Sequence, residues 1–321
     1  MPSRSISMLL FVCIFFLIGL LAGCSRSYLP KTALAAPEAL NGRLTVDGDK
    51  RTYRLHIPEG YANEKPLPLV LALHGAFSSG RKMERFSGFS ALADKEGFIM
   101  VYPDGIGLFG LLRHWNAGFC CGRAMTANWN DTAFLLRLID VLSEHLAVDP
   151  KRIYLVGMSN GGMLAHRFAA EHPQRIAAVA LVAAAVGARW QEHGEMLGVL
   201  PPSLPVPAII IHAKDDPVIP FEGGRGDNRD DVEYLGPKDA VAFWCGANQC
   251  GEVPVENVRF QEKGDWLRWD TCMGGAEVAF LAVDKGGHVW PGELTDPPNP
   301  SADNISGTEA AWRFLSRFSR E

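Results

Sequence analysis

Short continuous apolar runs alternate along this chain with longer stretches of helical periodicity, the pattern of parallel strands covered by helices on both faces. Leu69-Val70-Leu71-Ala72-Leu73, Phe98-Ile99-Met100-Val101-Tyr102, Ile153-Tyr154-Leu155-Val156, residues 176–182 and Pro207-Ala208-Ile209-Ile210-Ile211-His212 read as buried strands, and residues 280–283 as the last of them. Apolar residues spaced three and four apart predict helices over 83–95, 131–146, from about 163 to 170, and 308–318. Ahead of these, 44–46 and 52–57 alternate around Asp47-Gly48-Asp49, which predicts an antiparallel hairpin. The order strand, helix, strand places the chain in the α/β class, with a mostly parallel central sheet.

One connection carries chemistry. Gly157-Met158-Ser159-Asn160-Gly161 lies between the strand at 153–156 and the helix that follows, which puts a serine at the tip of a tight strand-to-helix turn. Small neighbours suit such a turn, because larger side chains would collide with the strand and helix holding the hydroxyl outward. Ser159 is therefore the candidate nucleophile. A serine hydroxyl needs a base to take its proton and return it to the leaving group, and histidine suits both steps. His288 is the candidate, held in Gly286-Gly287-His288-Val289-Trp290-Pro291-Gly292 after the last strand. A carboxylate must orient that imidazole, and Asp216 is chosen from Asp215-Asp216-Pro217, in the turn after 207–212, with Asp215 the alternative. Charge developing on a substrate carbonyl needs donors, for which the backbone N–H groups of Ala76 and Asn160 are placed. Of the other histidines, His74 is expected to support the loop after its strand, His166 to lie in the core or on the helix surface, and His212 to pack beneath the acid turn.

Length and composition set outer limits. A chain of 321 residues, 47% hydrophobic and 21% charged, suits one large domain, expected over 41–321. A formal charge of −5 offers no field for nucleic-acid phosphates, and no dinucleotide or phosphate-binding glycine motif is present, so neither a nucleic-acid partner nor a cofactor is expected. Arg4 and the apolar run 8–21 resemble an export signal. Leu21-Ala22-Gly23-Cys24 resembles a bacterial lipobox, which implies cleavage before Cys24, its diacylation, and a tether over 24–40 that anchors the protein in the cell envelope, on an outer membrane where one exists. Export permits disulfides among Cys120, Cys121, Cys245, Cys250 and Cys272, with Cys250 to Cys272 the first pairing to expect. Adjacent Cys120 and Cys121 are awkward partners for each other, and no cysteine spacing suggests a metal site. Asp227, Asp230 and Asp231 read as a solvated acidic loop rather than a calcium site.

With these residues in place, the chain resembles the secreted α/β-hydrolase esterases that include feruloyl esterases and polyhydroxybutyrate depolymerases. The marks are Leu73-His74-Gly75, Tyr102-Pro103-Asp104-Gly105, Cys120-Cys121-Gly122, Gly157 through Met163, His212 through Pro220 and Gly287 through Gly292. Ala213 and Val289 depart from the family's usual glycine and threonine, and Cys245 is additional to its usual late cysteines. The resemblance implies an α/β-hydrolase fold and a Ser159, Asp216, His288 triad that hydrolyses carboxylic esters through an acyl-enzyme. Trp115, Trp129 and Trp290 are candidates for flat walls against an aromatic acyl group or sugar, with core packing the alternative for each. Two other readings remain open, a peptidase or acyltransferase on the same fold and a catalytically dead lipoprotein that binds an envelope component.

Overall fold

The structure, a computed structural model, describes residues 40–107, 110–190, 194–227, 231–292 and 305–320. The expected signal, Cys24 and its tether fall outside the described residues, as does Asp230. Among the described residues there are fourteen strands: β1 Leu40–Val46, β2 Asp49–His56, β3 Leu67–Leu73, β4 Ile99–Pro103, β5 Val148–Met158, β6 Ala178–Val182, β7 Gly187–Trp190, β8 Met196–Gly198, β9 Ala208–Ala213, β10 Gly224–Arg225, β11 Val232–Tyr234, β12 Glu256–Phe260, β13 Gly264–Trp269 and β14 Val278–Val283. The helices are α1 Gly80–Ser87, α2 Phe89–Glu96, α3 Gly122–Thr126, α4 Asp131–His145, α5 Asn160–Glu171, α6 Pro237–Ala247 and α7 Gly307–Leu315.

The main sheet runs β1-β2-β4-β3-β5-β6-β9-β14-β13-β12. Its centre, from β4 to β14, is parallel, and the hairpins β1–β2 and β12–β13 extend it antiparallel at either side. Strand alternation explains the two cores. On β3, Leu69, Leu71 and Leu73 pack with Phe134 and Leu138 of α4 and Phe168 of α5, whereas Val70 and Ala72 turn to Met83 of α1, Phe89 of α2 and Phe314 of α7. Each such side chain, fully buried, contributes about 1.5–3 kcal/mol from lost apolar hydration. This is the α/β-hydrolase architecture: a mostly parallel sheet with helices on both faces.

Differences from the sequence expectations have local causes. The helix expected over 83–95 is two, because Gly88 adopts φ 71° between α1 and α2, a left-handed conformation that ends one helix and opens the next. The hairpin β12–β13, helix α6 and a small second sheet, β10-β11-β7-β8, were not foreseen. Their strands are short or half-exposed, so they carry neither a long apolar run nor clean alternation. Cys250 and Cys272 are bonded, as expected, and Cys245 is free. Cys120 and Cys121 are bonded to each other across a cis peptide, contrary to the expectation that adjacency would keep them apart. Among the described residues no helix is long and apolar enough to cross a membrane, and no group of side chains is arranged to hold a metal ion.

Candidate active site

The strand β5 delivers Ser159 to the C-terminal edge of the sheet, where α5 begins at the next residue. Ser159 sits at φ 52°, a sparsely populated conformation that costs on the order of 1–3 kcal/mol for a non-glycine residue. Two backbone bonds hold it: its N–H donates to Val182 O at 2.9 Å and its carbonyl accepts from Met163 N–H at 2.8 Å. The flanking glycines are a steric requirement. A Cβ on Gly157 would lie 2.4 Å from Gly161 O, and one on Gly161 would lie 2.4 Å from His74 O.

Loops after β14 and β9 bring the other candidates to the same edge. Ser159 Oγ lies 2.8 Å from His288 Nε2, and His288 Nδ1 lies 2.8 Å from Asp216 Oδ2. The second oxygen of Asp216 accepts from the N–H groups of Val218 and Ile219 at 2.8 and 2.9 Å, which leaves Oδ2 turned to the imidazole. Burial pushes the Asp216 carboxyl up, but the hydrogen bond and charge of His288, with His212 and the Ile219 amide, outweigh it and hold the group below the usual carboxylate range. The acid therefore stays ionised at neutral pH, as an orienting carboxylate must. His212 lies under this turn, its Nε2–H donating to Ile219 O at 2.9 Å; burial lowers its basicity.

Asp215 has a separate task. Its Oδ1 accepts from the N–H groups of Gly286 and Gly287 at 2.9 and 2.8 Å, so it ties the acid loop to the histidine loop without touching the imidazole. Of the two neighbours, Asp216 meets the imidazole and Asp215 the backbone of its loop.

The candidate donors for a carbonyl oxygen lie at the same cavity. Ala76 and Asn160 both line the cavity beside Ser159, and neither backbone N–H donates to another protein group among the described residues. The Asn160 side chain clamps Trp115: Oδ1 accepts from Trp115 N–H at 2.7 Å and Nδ2 donates to Trp115 O at 3.0 Å. The Trp115 indole in turn donates to His74 O at 2.9 Å. His74 is fully buried, donating from Nδ1 to Gly75 O at 2.7 Å and accepting at Nε2 from Gly105 N–H at 3.0 Å. Deeper still, Arg51 donates to Asp131 at 2.6 Å, while Asp131 accepts from Asn116 N–H at 2.7 Å and fixes the segment that carries Trp115.

Burial holds His74 near 4 and His166 near 3, so both are neutral in the folded chain. An unfolded histidine takes a proton near 6.5, so the stability these residues contribute is present above that pH and is lost as pH falls toward 4 and 3. Denaturant midpoints are expected to be level above pH 7 and to decline already between pH 6.5 and 5. A midpoint that falls only below pH 4, where carboxylates alone titrate, would refute this assignment.

A cavity of about 670 Å³ opens over Ser159 and His288. Its walls include Phe77, Phe86, Met158, Met163, Trp190 and Tyr234, an apolar set suited to a hydrocarbon or aromatic group. The expected walls are different residues, and this corrects the sequence reading. Trp115 is 0% exposed and Trp290 1% exposed, and neither borders the cavity. Their N–H groups are satisfied internally, by His74 O and by Thr308 Oγ1 at 3.0 Å, and Trp290 packs against Phe86 and Phe89. Trp129 is half-buried and also lies away from the cavity. Trp190 and Tyr234 reach it from the small sheet, which sequence periodicity did not reveal.

Comparison with known proteins gives the family of the chain. Residues 51–199 match the family model described as esterase PHB depolymerase. The chain is 33% identical over 292 residues to "Putative esterase NocK" of Nocardia uniformis subsp. tsuyamanensis, an alignment covering 85% of this chain and 81% of that protein. It is 27% identical to feruloyl esterase B of Piromyces equi over 82% of this chain but only 44% of that longer protein. Among solved structures, the acetyl xylan esterase from Aspergillus awamori superposes with a TM-score of 0.56 at 13% identity, covering 86% of this chain and 99% of that one, a likeness of fold.

Proposed function

The chain belongs to the esterase PHB depolymerase family of α/β-hydrolases, and on that premise we propose that it hydrolyses carboxylic esters through Ser159, His288 and Asp216. The observation that carries this reading is the unbroken relay of two 2.8 Å contacts from Ser159 Oγ through His288 to Asp216. Ser159 attacks the ester carbonyl while His288 Nε2 takes its proton, and Asp216 steadies the imidazolium that results. The oxygen that becomes negative is met by the N–H groups of Ala76 and Asn160, held before the reaction starts by the His74–Trp115–Asn160 network. His288 then protonates the departing alcohol. In the second half it draws a proton from water, which attacks the acyl-enzyme and frees the acid and Ser159.

The apolar cavity supports an aromatic or short hydroxyalkanoate acyl group, the substrates of feruloyl esterases and of depolymerases acting on soluble esters. The test is to treat the protein with a fluorophosphonate, locate the adduct by peptide mass spectrometry, and assay methyl ferulate beside an aryl butyrate. An adduct on Ser159 together with turnover of either ester is expected. Folded protein that takes no label at Ser159 would overturn the assignment and favour a binding role, and turnover of peptides alone would favour a peptidase.

A further inference from the structure

A second cavity, of about 520 Å³, opens where the β1–β2 hairpin meets the loops after β3 and β4, and its lining is cationic. Arg43, Arg54, Arg81 and Arg113 border it, with Asp104 the acidic residue of the lining. That carboxylate is already engaged: Oδ2 accepts from Thr52 Oγ1 at 2.7 Å, and Oδ1 accepts from Gly80 N–H at 2.9 Å and lies 3.7 Å from Arg113. Arg54 is paired with Glu84 at 2.6 Å. Arg43 and Arg81 are exposed and make no ion pair among the described residues. In a chain of formal charge −5 this is a local reversal of field, and a concave one, which concentrates anions. One buried polar group also stands beside the cavity. Tyr53 lines the same cavity, is 2% exposed, and its hydroxyl has no partner among the described residues, although a buried O–H left unpaired is costly.

The position connects this cavity to the chemistry. Ser78 borders the catalytic cavity and Ser79 the cationic one; His114 borders the first and Arg113 the second. The two segments are joined, with Phe77 N–H donating to Arg113 O at 2.9 Å and a β-bridge between Ser78 and Arg113. The two linings are therefore chain neighbours, with consecutive α-carbons about 3.8 Å apart. An ester held over Ser159 whose far end passes over this joined pair of segments would meet the arginines.

We propose that the cationic cavity binds a carboxylate carried by the ester substrate, so that the enzyme prefers acidic esters such as those of uronic-acid sugars or hydroxy-acid oligomers with a free carboxyl end. The inference rests on the esterase reading and narrows its substrate class. Arginine suits the task because its planar fork meets both carboxylate oxygens.

The experiment compares matched esters at low salt: 4-nitrophenyl hydrogen glutarate against 4-nitrophenyl valerate, with the charge on the acyl side, and 4-butyryloxybenzoate against its benzamide, with the charge on the alcohol side. In one pair the charged member is expected to show about five- to tenfold higher kcat/KM, falling toward parity as salt rises, as two solvent-exposed charge contacts allow. The pair that shows it identifies the side of the ester that reaches the cavity. The double variant Arg43→Ser, Arg81→Ser should lose the preference and hydrolyse the neutral esters at the original rate. Parity in both pairs, or a preference that survives the double variant, overturns the proposal. If no ester of either pair is turned over, the esterase reading falls, and calorimetric titration of glutarate still decides the cavity: saturable heat that the double variant lacks upholds it, and no heat overturns it.

Discussion

Ser159→Ala is expected to lower kcat/KM by about 10⁴-fold or more, the scale at which loss of a triad nucleophile is felt when the remaining groups act as a unit with it. Removing Oγ deletes the group that His288 Nε2 meets at 2.8 Å, so no acyl-enzyme can form, whereas Ala76, Asn160 and the apolar cavity are untouched. Substrate binding should therefore persist, and the residual rate should come from the preorganised donors alone. Ser159 makes its fold-holding bonds through the backbone, to Val182 and Met163, so the thermal midpoint should barely move. Steady-state kinetics on an aryl ester beside a melting curve checks both halves. Retention of more than a tenth of the activity in a folded variant would remove Ser159 from the chemistry.

The second large effect separates two neighbours. Asp216→Asn should reduce kcat by roughly 10⁴-fold, because an amide cannot hold the imidazolium and allows the ring a tautomer with its proton on the wrong nitrogen. Asp215→Asn should cost far less, since the amide oxygen can still accept from Gly286 and Gly287 N–H and keep the histidine loop in place. Measuring kcat for both variants on one ester is enough. Should Asp215→Asn prove the more damaging, the acid has been assigned to the wrong residue.

Much of this site is legible in the sequence because its logic is local. A strand, a turn of small residues and a helix leave few conformations for the residue at the tip, so Ser159 can be named as a candidate from its neighbours, as can His288 between Gly287 and Pro291. The choice between Asp215 and Asp216 is different in kind. It depends on which carboxylate faces a loop 72 residues further on, and the residue types on either side carry no trace of that. The tryptophans make the same point. Trp115, Trp190 and Trp290 look alike along the chain and all three indole N–H groups find protein acceptors, yet two are sealed in the core and the third borders the cavity over Ser159 from a sheet too short to signal itself.

By itself the sequence determined the fold class, since continuous apolar runs alternating with helical spacing can be buried only as a parallel sheet between helices, and it put the candidate groups at one edge of that sheet, since they lie in the connections that follow its strands. Only the tertiary structure decided which side chains meet there: Asp216 rather than Asp215 on the imidazole, Trp190 rather than Trp115 or Trp290 on the cavity, and four arginines from separate segments around one hollow. The reason is physical. Backbone propensity and burial are fixed by neighbours a few residues away, whereas the direction of a side chain and the partner it finds depend on packing between segments far apart in the chain.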